Sequence, residues 1–491
     1  MTTGQPYEVV VPQTRLAALT PRDGQGHQFV IYADACSGVP GAPHETTFAV
    51  VNGVVARLHP RPEFICFPGD EIQGLTADMT ALRAQWHHWF DHEMVWLDRD
   101  ATPLYHTTGN HTTYDAASEA LFREVLAHLP RNGPPGQEGL SYWVRRDDLL
   151  LIFVNTLWSG YGGEGRVETD WLDRTLTAHA DARHTLVVGH HPVFAVNGFS
   201  GAYQRELGPE EGRAFWRVLV RHNVLAYVCS HMLAFDVQVH EGVLQILTAG
   251  AGTAHLMPKE TEYLHCVQAA LDTAGLRYQV LDTTGQVREW LSWPFAVPPP
   301  VEWCPLPQGN QQAPAFAAMP ADRPAADLIT WHFCGECPTV SMGDAQTLLA
   351  GWDPGPGLSS LWIGLLGREQ HLGILLSPQA GRSPHLWYGP TFAAGESFSV
   401  QVAIHTGMGP GGLLWRRDEH APWSSLTAAA SWGAERLTWP TRWSLGHDRR
   451  DPADRPFKGS GLQATWWSTQ LRLEYNKSLG RTDERRLIQS P

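Results

Sequence analysis

Between residues 28 and 290, short apolar runs alternate with stretches whose apolar residues recur at helical spacing. The runs Phe29–Tyr32, Phe64–Phe67, Leu149–Val154, Thr185–Val188, Val224–Val228 and Leu244–Leu247 read as buried strands. Periodic stretches near 78–97, 116–129, 168–179 and 209–222 read as amphipathic helices. This alternation predicts an α/β domain over residues 1–293. Residues 294–324, PFAVPPPVEWCPLPQGNQQAPAFAAMPADRP, are proline-rich and aperiodic, and predict a stiff, extended linker. From residue 325 to 475 the pattern changes to short runs (ITWHF, SLWIGLL, LGILLS, SFSVQVAI) separated by Gly/Pro turns. That predicts an all-β sandwich within residues 325–491, with a C-terminal tail. The chain carries no short internal repeat.

Composition narrows the class. A length of 491 residues exceeds what one hydrophobic core usually spans, which agrees with two domains. With 43% hydrophobic residues the chain is foldable rather than disordered. The net charge of −14 disfavours nonspecific binding to nucleic acid or to anionic membranes. It does not exclude a small anionic substrate, because a bound cation reverses the local potential. No apolar run is long enough for a membrane-spanning helix. The N-terminal MTTGQPYEVVVPQTRLAALT lacks the basic and apolar regions of a signal peptide, so a cytoplasmic location is expected, with secretion left open. Seven cysteines in a chain of this length do not suggest a disulfide scaffold.

Chemistry-bearing residues follow the predicted strands. Asp34 lies in YADACSG after the first, and Asp70 in PGDEIQG after the second. Asn110 and His111 lie in TGNHTTY after a short strand at Leu104–Thr107. His190 and His191 follow in GHHPVF, and His231 in CSHM. In open α/β sheets ligands bind beyond the carboxyl ends of strands, so these residues are expected to converge. Asp, Asn and His are donors for borderline or hard divalent cations. One carboxylate can bridge two metals about 3.5–4 Å apart, and a remaining histidine can protonate a leaving oxygen. Taken singly, each has an ordinary reading: Asp34 and Asp70 as turn or cap residues, Asn110 as a turn residue, His190 and His231 as hydrogen-bonded core histidines. Their order along the chain favours the joint, metal-binding reading.

The set D-x-C, GDxxxG, GNH, GHHP and SH resembles the calcineurin-like metallophosphoesterase superfamily, in particular its purple-acid-phosphatase-like branch, over roughly residues 25–292. WLDRTL before HTLVVGHHPVF, and LQILTAGAG before YLHCVQAALDTAGLRYQVLD, resemble its flanking and closing segments. The resemblance implies an αββα sandwich that hydrolyses a small phosphorylated substrate with one or two divalent or transition metal ions (Fe, Mn or Zn). It implies Asp70 as a bridging carboxylate, with Asn110, His190 and His231 completing one metal site. It further implies a metal-bound hydroxide as nucleophile and His111 as general acid. His191 would contact the phosphate if it turns inward.

The other site departs from the family pattern. Asp34 matches the family's first aspartate, but Cys36 stands at the partner position and Leu233 where a last histidine is expected. Gln73 stands where purple acid phosphatases have a tyrosine ligand, and Thr112 where an acidic residue usually orients the catalytic histidine. Three readings stay open. Cys36 is a thiolate ligand assisted by His44, Glu45 or Asp236, favouring zinc or iron. Alternatively, only one metal is firmly held. In the third, catalysis is lost and the shape retained, as a noncatalytic scaffold that binds carbohydrate or a partner. A cysteine beside a buried strand is, on its own, more often an inert small hydrophobe.

Further motifs receive plainer readings. His88 and His92 have helical spacing but no third ligand nearby in sequence, and read as a solvated helix face. Cys334-Gly-Glu-Cys337 reads as two buried or adjacent thiols, and TGMGPGG at 406–412 as a hairpin or bulge loop. SFSVQVAIHTGMGPGGLLWRRDE and LTWPTRWSLGHDRRDPADRPFKGSGLQATWWS resemble the laminin-G/concanavalin-like jelly-roll group. That resemblance implies a carbohydrate partner met by exposed aromatic faces, whereas the plainer reading makes the tryptophans core and interface residues.

Overall fold

Leu149, Leu151 and Phe153 point into one hydrophobic core, while Leu150 and Ile152 of the same strand point into another. A strand buried on both faces needs no polar alternation, which is why this segment reads as an unbroken apolar run. The computed structural model describes residues 14–22, 24–158, 165–198, 206–252, 263–294, 304–305, 317–318, 328–339, 343–352, 360–377, 385–405, 413–429, 439–440, 442–448, 450, 453–469 and 475–477.

The N-terminal part is mixed α/β. One six-stranded sheet runs in the order Phe235–His240, Val243–Thr248, Ala226–Cys229, His184–Val188, Leu149–Phe153, Tyr142–Arg146. A seven-stranded sheet runs Tyr475–Lys477, Val287–Trp293, Gly275–Asp282, His265–Asp272, His27–Ile31, Phe64–Phe67, Leu104–His106. The two sheets share a core in which Phe29, Phe67 and Val267 join Leu151, Val188 and Val228. Helices α1 (Pro43–Val55), α2 (Met79–His88) and α3 (Ala116–Val125) bury Phe48, Trp86 and Phe122 against the same cluster. Helices α4 (Thr169–Ala178) and α5 (Pro209–Arg221) cover the outer face of the six-stranded sheet through Leu172, Leu176, Phe215 and Leu219. Helices thus flank a pair of stacked sheets.

Two elements differ from the sequence reading. Helix α1 was not expected, because its β-branched run disguises the helical period; Pro43 at its first turn fits a helix start. The helix expected over 78–97 is α-helical only to His88, after which Trp89–Glu93 forms a π-helical turn closed by Met94 N–H donating to the Trp89 carbonyl at 2.9 Å.

Within 328–469 the described residues form strands only. One sheet runs Cys304–Pro305, Ser460–Thr469, Leu328–Glu336, Ser397–His405, Leu413–Arg416, Ser424–Ser425. The other runs Ala317–Ala318, Arg442–Leu445, Gln346–Trp352, Leu361–Leu366, His371–Leu376, His385–Tyr388, Thr427–Ala428. Ile329, Trp331 and Phe333 of the first meet Leu349, Ile363 and Ile374 of the second. Trp331, Trp352, Trp362, Trp387 and Trp443 are buried, so these five have no face free to stack on a sugar. Cys334 and Cys337 are free thiols, with Cys334 Sγ 3.2 Å from His332 Nε2.

Most of the expected linker lies outside the described residues, as does the 406–412 loop. Of the linker, Cys304–Pro305 and Ala317–Ala318 pair onto the two sandwich sheets. The tail crosses back: Tyr475–Lys477 pairs antiparallel with Val287–Trp293. Asn197 joins the halves again, its amide Nδ2 donating to the Leu426 carbonyl (3.2 Å) and its Oδ1 accepting from Ala428 N–H (2.7 Å). No described helix is long and apolar enough to cross a membrane.

Candidate metal centre

Two parallel strand sets place the chemistry. His27–Ile31, Phe64–Phe67 and Leu104–His106 are parallel, as are Leu149–Phe153, His184–Val188 and Ala226–Cys229. The residues that leave their carboxyl ends meet between the two sheets. Four of them bend in the left-handed region: Asp34 (φ 60°), Cys36 (φ 44°), Asp70 (φ 59°) and His231 (φ 70°). Non-glycine residues adopt this conformation at an energetic cost, and such residues cluster at functional sites. The turns are held by Cys36 N–H donating to the Asp70 carbonyl (2.8 Å) and Asp34 N–H to the Gly69 carbonyl (3.2 Å).

Three donor atoms surround His190 Nε2. His190 Nε2 lies 3.2 Å from Asp70 Oδ2, 3.0 Å from Asn110 Oδ1 and 3.2 Å from His231 Nδ1. His231 Nδ1 is 2.8 Å from Asn110 Oδ1. The opposite nitrogen of His190 donates to the Pro68 carbonyl at 2.8 Å, which fixes the ring and leaves Nε2 as the inward-facing donor atom. One carboxylate, one amide oxygen and two imidazoles form a donor set that suits a first-row divalent cation.

The electrostatics of this cluster ask for positive charge. Burial pushes the Asp34 carboxyl up to about 7 against the pull of His190, and the Asp70 charge adds to the rise. Burial also opposes ionisation of Asp70, yet His190 and His111 hold its carboxyl well below the ordinary range. Burial disfavours charge on His190, but the Asp70 carboxylate, its hydrogen bond and Asp34 raise the imidazole to about 9. A proton on His190 thus balances the carboxylates where a cation would otherwise do so.

Two donor groups include Asp70. Cys36, Asp70 and His111 each offer a donor atom within 4.8 Å of the other two, and Asp34, Asp70 and His190 form a second such group. Cys36 is 4% exposed, so its thiol is not a surface feature. The helpers expected from sequence bond as follows. His44 Nδ1 donates to the Cys36 carbonyl (3.0 Å). Glu45 bonds His88 (2.7 Å), and Asp236 accepts from Asn197 N–H (3.1 Å).

A backbone carbonyl orients the His111 ring. Its Nδ1 donates to the Gln73 carbonyl at 2.7 Å and its N–H to Asp70 Oδ1 at 2.9 Å. Thr112 bonds both the N–H and the carbonyl of Gly109 and closes the motif's own turn. Gly109 must lack a side chain, since a Cβ there would lie 2.1 Å from Asp70 Oδ1. His191 turns inward: it is fully buried, its Nδ1 is 2.9 Å from Thr156 Oγ1, and its ring centroid is 4.2 Å from that of His231.

Directly behind Asp70 is a pair that sequence reasoning missed. Glu71 Oε1 and His106 Nδ1 are 2.8 Å apart and both side chains are fully buried. Burial pushes the Glu71 carboxyl well above its ordinary value and takes His106 down to about 3. Burial thus disfavours charge on both partners of this contact. His106 on an apolar strand and Glu71 beside a turn gave no spacing signal linking them.

No family model and no curated protein matches the chain. Among solved structures it resembles a dimetal phosphatase from Danio rerio, at 15% identity and TM-score 0.39, over 52% of this chain and 96% of that one. It also resembles purple acid phosphatase PPD1 from yellow lupin (Lupinus luteus), at 11% identity and TM-score 0.39, over 55% and 54%. A further likeness, over 29% of this chain and 77% of the other, is to the CBM40 of Ruminococcus gnavus IT-sialidase, at 17% identity and TM-score 0.22. At these scores the likenesses assign no role to any residue.

Proposed function

We propose that residues 1–293 form a metal-dependent phosphoester hydrolase with one complete metal pocket and one altered pocket. The observation that carries this reading is His190 Nε2 standing 3.0–3.2 Å from Asp70 Oδ2, Asn110 Oδ1 and His231 Nδ1, with the last two 2.8 Å apart. These four residues would hold the first metal, with Asp70 shared towards the Asp34–Cys36 side. Iron, manganese and zinc all suit the first donor set, and a Cys36 thiolate would bias the second towards zinc or iron.

A bound metal supplies Lewis acidity: it acidifies water and neutralises charge on phosphoryl oxygens. The protein's own groups do the rest. His111 keeps Nδ1–H on the Gln73 carbonyl, so the proton it delivers to a leaving oxygen is the one on Nε2. His191, held by Thr156, presents its ring beside His231 and would contact the phosphoryl group. The buried Glu71–His106 pair lies beside Asp70, where burial disfavours charge on both of its members.

The substrate class is a small phosphorylated molecule, and the sandwich of residues 325–491, which resembles the laminin-G/concanavalin-like group, is read as an accessory domain. The test is elemental analysis of the purified protein paired with a panel of phosphomonoesters and diesters, with Asp70→Asn as control. Bound metal and turnover lost in the variant are expected. Metal below about 0.1 equivalents, with no cleavage after adding Mn²⁺, Fe²⁺ or Zn²⁺, would leave only the noncatalytic scaffold.

A further inference from the structure

Away from the centre just described, three segments bring a second donor set together. Glu45 comes from helix α1, His88 from the last position of α2, and Glu93 from the π-helical turn. His88 Nε2 is 2.7 Å from Glu45 Oε1 and 3.9 Å from Glu93 Oε1, and one donor atom from each residue lies within 4.8 Å of the other two. Their side chains are 16%, 14% and 4% exposed respectively, so the cluster is sheltered but reachable by a small ion.

The backbone is shaped for this meeting. On a regular α-helix, residues five apart lie about 140° apart around the axis and face different directions. The i→i+5 bond from Met94 to Trp89 widens the turn and brings Glu93 round to the side of His88. Such π turns occur mostly as single insertions and are frequent at functional sites. The remaining bonds to the carboxylates orient them. Gly41 N–H donates to Glu45 Oε2 at 2.7 Å, Gly38 N–H lies 3.1 Å from both Glu93 oxygens, and Ser37 Oγ donates to Glu93.

Among the described residues no lysine or arginine forms an ion pair with Glu45 or Glu93, and His88 is the basic side chain paired with both. Burial raises the Glu93 carboxyl against the bonds from Ser37 and Gly38 and the pull of His88, and a cation beside it would stabilise its charged form. Two sheltered carboxylates that share a single imidazole make a strong demand for a divalent cation.

We propose that Glu45, His88 and Glu93 form an auxiliary site for a first-row divalent cation such as Zn²⁺ or Mn²⁺, separate from the Asp70 centre. Two carboxylates and one imidazole are a recurrent three-residue donor set for such ions, with water completing the coordination. The site is structural in consequence. Glu93 anchors Ser37 and Gly38, which directly follow Cys36, so a cation there fixes the loop that carries the altered pocket. None of its three donors takes part in the proposed hydrolysis, and the two proposals fail independently.

The test is metal stoichiometry. Protein stripped with chelator, refilled with Zn²⁺ or Mn²⁺ and freed of excess ion is analysed for wild type, Glu45→Gln, His88→Gln and Asp70→Asn/His190→Ala, with circular dichroism confirming the fold of each. Glu45→Gln and His88→Gln are expected to hold one equivalent fewer than wild type. The Asp70→Asn/His190→Ala protein leaves this cluster untouched and is expected to retain an equivalent that His88→Gln, added to it, removes. Unchanged stoichiometry in both single variants, or a metal-free double variant, overturns the site and leaves an ion-paired triad.

Discussion

The backbone N–H of His231 donates to Asp34 Oδ2 at 3.1 Å, joining two residues 197 positions apart. Asp34 therefore has two separable roles, as acceptor and as charge. Asp34→Asn keeps an oxygen for His231 while removing the charge, and should weaken metal binding with little loss of metal-free stability. Asp34→Ala also strands a buried N–H, and should lower unfolding free energy by a further 1–3 kcal/mol, roughly. Urea unfolding and metal titration of both variants read the difference. Equal stability of the two would show that the hydrogen bond contributes nothing.

Cys36 is the residue on which the altered pocket turns. Its sulfur belongs to the group formed with Asp70 and His111. If the thiolate ligates, cobalt-substituted protein should show a sulfur-to-metal charge-transfer band in the near ultraviolet, and Cys36→Ser should abolish it while leaving the d–d bands of the Asp70 pocket. A spectrum without such a band, in wild type with two cobalt ions bound, would assign Cys36 to packing alone.

Gly109 offers a steric test. A methyl group there would press on Asp70 Oδ1, which itself accepts from His111 N–H. Gly109→Ala should displace both the Asp70 carboxylate and His111. Changes to residues that only orient metal ligands cost about 10–100-fold in affinity or activity, and this substitution should fall at or above that range. Metal titration and turnover measured together would reveal it, and wild-type values for both would refute the proposed crowding.

What the sequence made legible follows from local signals. Asp34, Asp70, His190 and His231 each follow a strand that reads as an apolar run, and Asn110 follows the short strand Leu104–His106, so their convergence was expected from the rule that sites form at strand carboxyl ends. Other features had no local signature. The partner of His88 is Glu45, 43 positions away on a helix whose β-branched residues hid it, and Glu93 arrives only through a π turn. Glu71, past the end of the strand Phe64–Phe67, meets His106 of the neighbouring strand, a contact that no spacing along the chain announces. His111 is oriented by a backbone carbonyl, which no side-chain motif can announce.

The contact between the two halves rests partly on one side chain. Asn197 is 4% exposed and serves both the Leu426 carbonyl and the Ala428 N–H, a donor and an acceptor that apolar side chains cannot replace. Asn197→Ala should lower unfolding free energy by about 1–3 kcal/mol, because both backbone groups lose a buried partner. Metal content should be unchanged. A loss below about 0.5 kcal/mol by urea unfolding would show that water replaces the amide at no net cost.

His27 supplies a pH dependence remote from the metal centre. Its Nδ1 is 3.0 Å from Glu63 Oε2 and its Nε2 is 3.5 Å from Asp148 Oδ1. The hydrogen bond to Glu63 raises its pKa, outweighing burial, with the charges of Glu63 and Asp148 adding to the rise and Arg146 opposing it. The folded protein therefore binds this proton more tightly than the unfolded chain. Linkage gives the sign: the stabilisation is complete below the unfolded value of about 6.5 and is lost as pH rises through the elevated folded value. Comparison with His27→Gln isolates it, since other titrations are shared by both proteins. The wild-type advantage in urea unfolding should be largest near pH 5.5, roughly, and shrink steadily into the alkaline range. A gap that stays constant across that range would mean that His27 is neutral in the fold and bonds Glu63 without its charge.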